Sequence, residues 1–458
     1  MITSKPLRLI AHFAALAASL ALGLSAGTAS AQSVLRDAET ESLLRDIARP
    51  VIEAAGLQPR NVDIVLLNDG SINAFVAGGQ AVYIHSGLIG AADNVAEVQG
   101  VIAHEIGHIT GGHVISDGGS KAATGITLLS LLLGAAAAAA GSADAGIGVF
   151  MAGQQAALGK YLAFSRAQES SADAASVQFL AKAGISGRGS IDFFKKLQSQ
   201  EFRYGFKRSE ETDFYSTHPV TSDRIATLQD SFERDAAWNT PIDPSLQERF
   251  LRIKAKLYGY LAEPAATLTA YPEYLTDAPA RYARAYAFHK EALMDKALTE
   301  ADALLAKTPN DPYVLELKGQ VLLESGKPVD ALVPLRRAVM LSRNEPLIAT
   351  TFGHALLATE DRANFAEAQR VLKTAVARDR DNPFAWYQLG VVYEAQGDTP
   401  RARLASAEQQ LGEMRLPEAL RSAEAAEVSL PKDSPDWLRA QDIAMSARAM
   451  IERQRKKR

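Results

Sequence analysis

The chain has 458 residues, 47% hydrophobic and 22% charged, with a formal charge of −4 and no cysteine. That composition suits two or three soluble globular domains with sizeable cores. It excludes a disulfide scaffold and offers no global charge for nucleic acid; the basic end "RQRKKR" (453–458) reads as a solvated terminus.

The chain opens like a secretory signal. Lys5 and Arg8 form a positive start, Leu9 to Leu24 is nearly all apolar, and "ASA" at 29–31 supplies a small-residue cleavage pattern, so the mature chain is expected to begin at Gln32. An uncleaved anchor is the alternative, but the apolar core is short for a span. A periplasmic address fits a secreted chain without disulfides, held by packing and metal.

Residues 38–56 carry Leu43, Leu44, Ile47, Val51 and Ile52 near the 3.6-residue period, which predicts a helix stopped by Gly56. "NVDIVLLND" (61–69) reads as a strand ended by the turn pair Asp69-Gly70. "AVYIHSGLI" (81–89) reads as a second strand, preceded by the turn pair Gly78-Gly79. A helix is then expected from about Asn94.

That helix carries "VIAHEIGHITGGH" (101–113). Residues i and i+4 share a helix face, so His104 and His108 can aim at one metal ion, with Glu105 placed to act as a general base. A helix that merely satisfies its histidines is the plain alternative. A zinc site needs a third protein ligand. In the metzincin pattern a His stands six residues after the second ligand; Gly111 fits that pattern, but Val114 occupies the position and His113 misses it by one. A Glu from a later helix is the other source.

Residues 122–143 contain no charge and include "LLSLLLGAAAAAA"; with the next stretch they make an apolar segment over 122–158. It is long enough to span a bilayer, yet rich in Ala and Gly. A buried helical hairpin is the plain expectation, and a peripheral membrane contact the functional one. "SRAQESSADAAS" (165–176) then offers Glu169 and Asp173 one helical turn apart, where one carboxylate can bind metal and the other brace a ligand histidine. "STHPVTSDRI" (216–225) adds His218, which either stabilises an oxyanion or takes the open metal position, and Arg224.

Beyond residue 255 the style changes. Gly319, Gly353 and Gly390 are spaced by 34 and 37, as are Pro312, Pro346 and Pro383; Ala297, Ala331, Ala368 and Ala402 follow by 34, 37 and 34. This is the tetratricopeptide pattern of stacked helix pairs, with "TEDRANF" (359–365) lengthening one turn and a last partial unit over about 415–450. Such arrays present a concave face that binds peptide or protein.

Four stretches in this order, "NAFVAGGQAVYIHSGLI", "VIAHEIGHITGGH", "SRAQESSADAAS" and "STHPVTSDRI", resemble the gluzincin metallopeptidase family that contains HtpX and the CAAX prenyl proteases. With a signal in front and repeats behind, the chain is most similar to the periplasmic BepA-type members. The resemblance implies a mainly α (α+β) fold: an HExxH metallopeptidase domain with a small β-sheet (32–255) and an α-helical repeat solenoid (256–458) after the signal peptide (1–31). It implies one zinc ion on His104, His108 and Glu169, with Glu105 as catalytic base, His218 near the metal, and Asp173 and Arg224 behind the ligands. Asn73 and the strand at 81–84 would border the cleft, and Val82, Tyr83 and Ile84 would pair with an extended substrate. The multi-spanning relatives have several transmembrane helices and this chain has at most one candidate, so prenyl substrates do not carry over.

The expected activity is zinc-dependent endopeptidase cleavage of misfolded or misassembled envelope proteins, as in outer-membrane quality control. The repeat face would engage the outer-membrane assembly machinery. The rival expectation is a periplasmic chaperone or assembly scaffold whose zinc site is structural or plugged by His218.

Overall fold

The computed structural model describes residues 33–113, 151, 165–204, 218 and 221–457. The signal segment 1–31 lies outside them, as does the apolar segment 122–158 except Met151. Among the described residues no helix is long and apolar enough to cross a membrane.

The N-terminal half joins a small sheet to a set of helices. Strand β1 (Ser33–Leu35) leads into helix α1 (Ala38–Ala54), whose first turn is capped by the Asp37 side chain accepting from Thr40 N. The predicted apolar stripe of α1 is buried throughout, and the helix stops two residues short of the expected 56, where Gly56 takes a φ of +78°. Strand β2 (Asp63–Asn68) falls inside the predicted 61–69. Strand β3 (Ala74–Ala77) was not legible as a strand, being four residues long. Strand β4 (Ala81–His85) is shorter than the predicted 81–89: Ser86 donates to the Asp69 carbonyl at 2.8 Å, and the chain coils into helix α2 (Ser86–Ala91).

The sheet order is β1-β2-β4-β3, with β2 and β4 parallel and both outer pairs antiparallel. This corrects one expectation. Val82, Tyr83 and Ile84 sit on an inner strand whose backbone is engaged by β2 on one side and β3 on the other, so no substrate can add there. Among the described residues the free edges belong to β1 and β3.

Helix α3 (Val95–Thr110) crosses the centre of this half. Asn94 caps it, accepting from Glu97 N at 3.1 Å, and Glu97 reaches back to Asp93 N at 3.1 Å. Every residue from Val95 to His108 is buried, as expected of a helix packed on all sides. Around it lie α1, β3, a helix over residues 165–183 (α4) and helix α5 (Arg188–Tyr204). Helix α6 (Ser222–Glu233) follows, and its Ile225, Leu228 and Phe232 complete the core.

Helix α7 (Pro244–Leu261) runs straight through the expected boundary at 255/256. Phe250, Ile253 and Leu257 belong to the core of the N-terminal half, while α7 also packs against α9 (Ala278–Lys290) of the second half. The short helix α8 (Pro264–Ala270) lies between them. Helix α10 (Met294–Lys307) pairs with α9. Three further pairs follow: α11 (Pro312–Glu324) with α12 (Pro328–Leu341), α13 (Pro346–Ala358) with α14 (Phe365–Arg378), and α15 (Pro383–Ala395) with α16 (Thr399–Gly412). A last pair is α17 (Leu416–Ser429) and α18 (Pro435–Lys457).

The sequence columns have physical reasons. Pro312, Pro346 and Pro383 each open a first helix, where proline's missing N–H costs nothing. A Cβ on Gly319 or Gly353 would meet Leu335 at 2.4 Å or Leu372 at 2.6 Å, atoms of the partner helix. Ala297, Ala331 and Ala368 are fully buried on the second helices.

A buried charge network ties the halves together. Lys256 of α7 binds the Asp37 carboxylate and stands 3.3 Å from Glu39 Oε2. Arg252 bridges Glu39 to Asp311, the cap of α11, and Tyr282 of α9 donates to Glu39 at 2.9 Å. Burial opposes charge on Asp37, but Lys256 holds its pKa below the ordinary value. Burial likewise opposes the Lys256 ammonium, and Asp37 outweighs it, leaving the pKa well above the usual lysine value.

Candidate metal centre

Helix α3 puts His104 and His108 one turn apart, with Nε2 atoms 3.1 Å from each other. Helix α4 brings the carboxylate. It can do so because residue 107 is glycine: a Cβ there would strike the Ala172 carbonyl at 2.7 Å and its Cα at 2.9 Å. Backbone therefore packs on backbone at Ala172, and Glu169 and Asp173, one turn apart around it, both face the histidines.

Glu169 Oε2 lies 3.3 Å from His104 Nε2, and Oε1 lies 3.4 Å from His108 Nε2. His218, which precedes α6, places Nδ1 3.0 Å from Glu169 Oε1 and 3.3 Å from His104 Nε2. One ligand atom from each of His104, His108, Glu169 and His218 lies within 4.8 Å of the others, and all four residues are buried. Three imidazoles and one carboxylate suit zinc. The predicted third ligand and the predicted His-Pro histidine thus converge on the motif.

Asp173 and Arg224 stand behind them. Asp173 Oδ1 is 3.0 Å from His104 Nδ1, the ring nitrogen turned away from the cluster. Arg224 grips Asp173 with two bonds of 2.8 Å and reaches Glu169 Oε2 at 3.1 Å. The Arg224 side chain also lies over the Phe194 ring, 5.5 Å from its centroid, and Phe194 meets His104 edge-on at 6.2 Å.

The electrostatics are those of a cation site. Burial disfavours the His104 imidazolium, yet Asp173 and Glu169 raise its pKa to about 10. Burial would raise the Glu169 pKa, but His104, His108 and His218 pull it far below the carboxylate range. Burial likewise works against the Asp173 carboxylate, and His104 and Arg224 overcome it. A positive charge at the centre is therefore favoured, and a metal ion would take the place of a proton there.

Glu105 is 0% exposed, and neither of its carboxylate oxygens has a hydrogen-bond partner among the described residues. His218 Nε2 stands 3.5 Å from Oε1. A buried carboxylate with so few donors among the described residues is costly, which fits a group that works as a base. The donor set and this buried carboxylate, with no hydrogen bond among the described residues, together fit a metal centre with an adjacent base.

Asn73 is buried immediately before β3, its carbonyl accepting from His85 N at 3.0 Å. Val82 and Ile84 are core residues and Tyr83 stacks on Phe75 at 5.1 Å. Sequence reasoning missed two residues of the site. Phe194 is one apolar position among many in α5. His113 misses the metzincin register by one, yet its Nδ1 lies 2.8 Å from His108 Nδ1.

Residues 37–231 match the model of peptidase family M48, and residues 371–404 match a tetratricopeptide-repeat model. The chain is 27% identical over 346 residues to the beta-barrel assembly-enhancing protease of Yersinia pestis, an alignment covering 72% of this chain and 68% of that one. It is 25% identical over 350 residues to the protein of the same name from Escherichia coli (strain K12), covering 75% and 69%. It is 31% identical over 182 residues to the metalloprotease LoiP of Escherichia coli (strain K12), covering 39% and 65%. These matches support a metalloprotease role and a protein-binding repeat array.

Proposed function

From a family M48 peptidase domain followed by tetratricopeptide repeats, we infer that this chain is a zinc-dependent endopeptidase acting on misfolded or misassembled proteins of the periplasm and outer membrane. One observation carries the reading: His104, His108 and Glu169 converge beside a buried Glu105 whose carboxylate has no hydrogen bond among the described residues and only His218 Nε2 near it, at 3.5 Å. When bound, zinc supplies Lewis-acid polarisation and lowers the pKa of water.

The chain's own residues do the rest. His104, His108 and Glu169 hold the ion, with Asp173 and Arg224 fixing the rings and the carboxylate. Glu105 takes a proton from water and returns it to the leaving amine. An extended substrate adds to the free edge of β3, on the strand that packs against the histidine helix, rather than to β4. Only loose or unfolded chain can add to such an edge, which suits quality control, and the names of the relatives point to beta-barrel assembly. The repeats supply the client or the assembly machinery. Removing metal with a chelator should end digestion of an unfolded substrate such as casein, and one equivalent of zinc should restore it. Cleavage that survives complete metal removal would overturn the reading.

The position of His218 favours a second feature. Its Nδ1 lies among the ligand atoms, where it would occupy the position that a catalytic site keeps open. In that role it plugs the resting enzyme, and the protein works mostly as a chaperone or scaffold until the plug is withdrawn. His218→Ala should then raise basal cleavage, measured as initial rate on casein. A rate equal to or below wild type would instead assign His218 to stabilising the oxyanion.

A further inference from the structure

We propose that His113 is a positioning residue for the metal centre: its Nδ1 fixes the tautomer and the orientation of His108. This rests on the metal-centre reading above. The observations are local and mutually dependent. After Thr110 the chain turns back: Gly112 has a φ of +65°, and His113 N donates to the His108 carbonyl at 3.1 Å. The turn folds the His113 imidazole over Gly111 and against His108. The two Nδ1 atoms are 2.8 Å apart, with the rings edge to face at 4.9 Å.

A lone pair on His108 Nε2, which faces Glu169 and His104, requires the ring proton on Nδ1. Among the described residues that proton points to His113 Nδ1, 2.8 Å away, which then accepts it and keeps its own proton on Nε2. The two metal histidines are thus oriented differently. His104 leans on the Asp173 carboxylate, and His108 leans on a neutral imidazole. Ligand histidines generally have such a partner on the second nitrogen, and here it comes from the turn that ends the motif helix.

Gly111 gives an independent handle. Its backbone is right-handed helical (φ −74°, ψ −7°), so alanine fits the chain there. A Cβ at this position would lie 2.5 Å from His113 Nε2 and 2.7 Å from Cε1. Gly111→Ala should therefore push the His113 ring away without removing it. His113→Asn should do the opposite, placing a carboxamide oxygen as many bonds from Cα as Nδ1 and keeping an acceptor in reach of His108.

The test uses the full chain loaded with zinc or cobalt(II). Metal affinity is read by competition with a chromogenic chelator, and ligand geometry by the visible cobalt spectrum. His113→Ala and Gly111→Ala should each weaken metal binding about 10–100-fold and alter the cobalt bands. His113→Asn should recover most of the loss. The double variant should be no weaker than His113→Ala alone, because both changes break one contact. Unfolding midpoints of the metal-free proteins should coincide. Wild-type affinity and spectrum in His113→Ala would overturn the inference, as would an unaffected Gly111→Ala beside a weakened His113→Ala. A folded wild type that binds no metal would overturn the metal-centre reading instead.

Discussion

Replacing Glu105 by Gln should slow peptide hydrolysis by about 10²–10⁴-fold, the usual share of a general acid–base group, while each molecule still binds one metal ion. Gln has the shape of Glu and fills the same buried position, but its amide cannot take a proton. Neither Glu105 oxygen is hydrogen-bonded among the described residues, and the contact the exchange alters there is the 3.5 Å approach of His218 Nε2. The ligand atoms of His104, His108 and Glu169 lie on other side chains, so metal content should stay at wild-type stoichiometry. Casein digestion together with metal analysis of both proteins checks this. Unchanged hydrolysis would remove Glu105 from the chemistry. Hydrolysis lost together with the metal would make it a structural element of the site. If the variant supports envelope assembly as fully as the wild type, the scaffold activity is the physiological one.

The second large effect is on stability. Lys256→Met should lower the apparent unfolding free energy by about 3–5 kcal/mol, the typical consequence of stranding one side of a buried ion pair. Lys256 is buried between Asp37 and Glu39, and Met matches its length without its charge. Arg252 remains, but it is already shared between Glu39 and Asp311. The pH response carries a sign. Asp37 titrates lower in the folded chain than its ordinary value of 3.8, because Lys256 outweighs the effect of burial. Its contribution is therefore present above that value and is lost as the pH falls through the folded pKa. Denaturant unfolding of wild type should weaken on acidification through this window. Lys256→Met should start lower and lose less. Equal midpoints at neutral pH would show that the network contributes nothing net.

How much of this was legible in the sequence follows from the range over which each signal acts. His104, Glu105 and His108 lie within one helical turn, so spacing alone places them on a common face. The repeat columns were legible for a similar reason: Gly353 must clear Leu372 and Ala368 must be buried, and each unit states this again. Glu169 lies far along the chain from His108, and no periodicity links them; the resemblance supplied that pairing. What joins them physically is Gly107, which reads as an ordinary small residue until the Ala172 carbonyl is seen against it. The substrate strand failed on topology. "AVYIH" reads as a strand from its own residues, but which strands flank it depends on β2, which lies before β3 in the chain. The apolar run past His85 hid a change from strand to helix that the Ser86–Asp69 contact dictates. His113 was measured against a ligand register and missed by one, although the same turn delivers it to the back of His108.

The continuous helix α7 has a mechanical consequence. Its residues are packed into the core that holds the histidine helix, and the same rod is packed against the first repeat, with its Arg252 bound to Asp311 and its Lys256 to Asp37. A client held by the array would hang at a set distance from the scissile point, as on a measuring rod. Cutting would then fall a preferred number of residues from the captured stretch, whatever the local sequence.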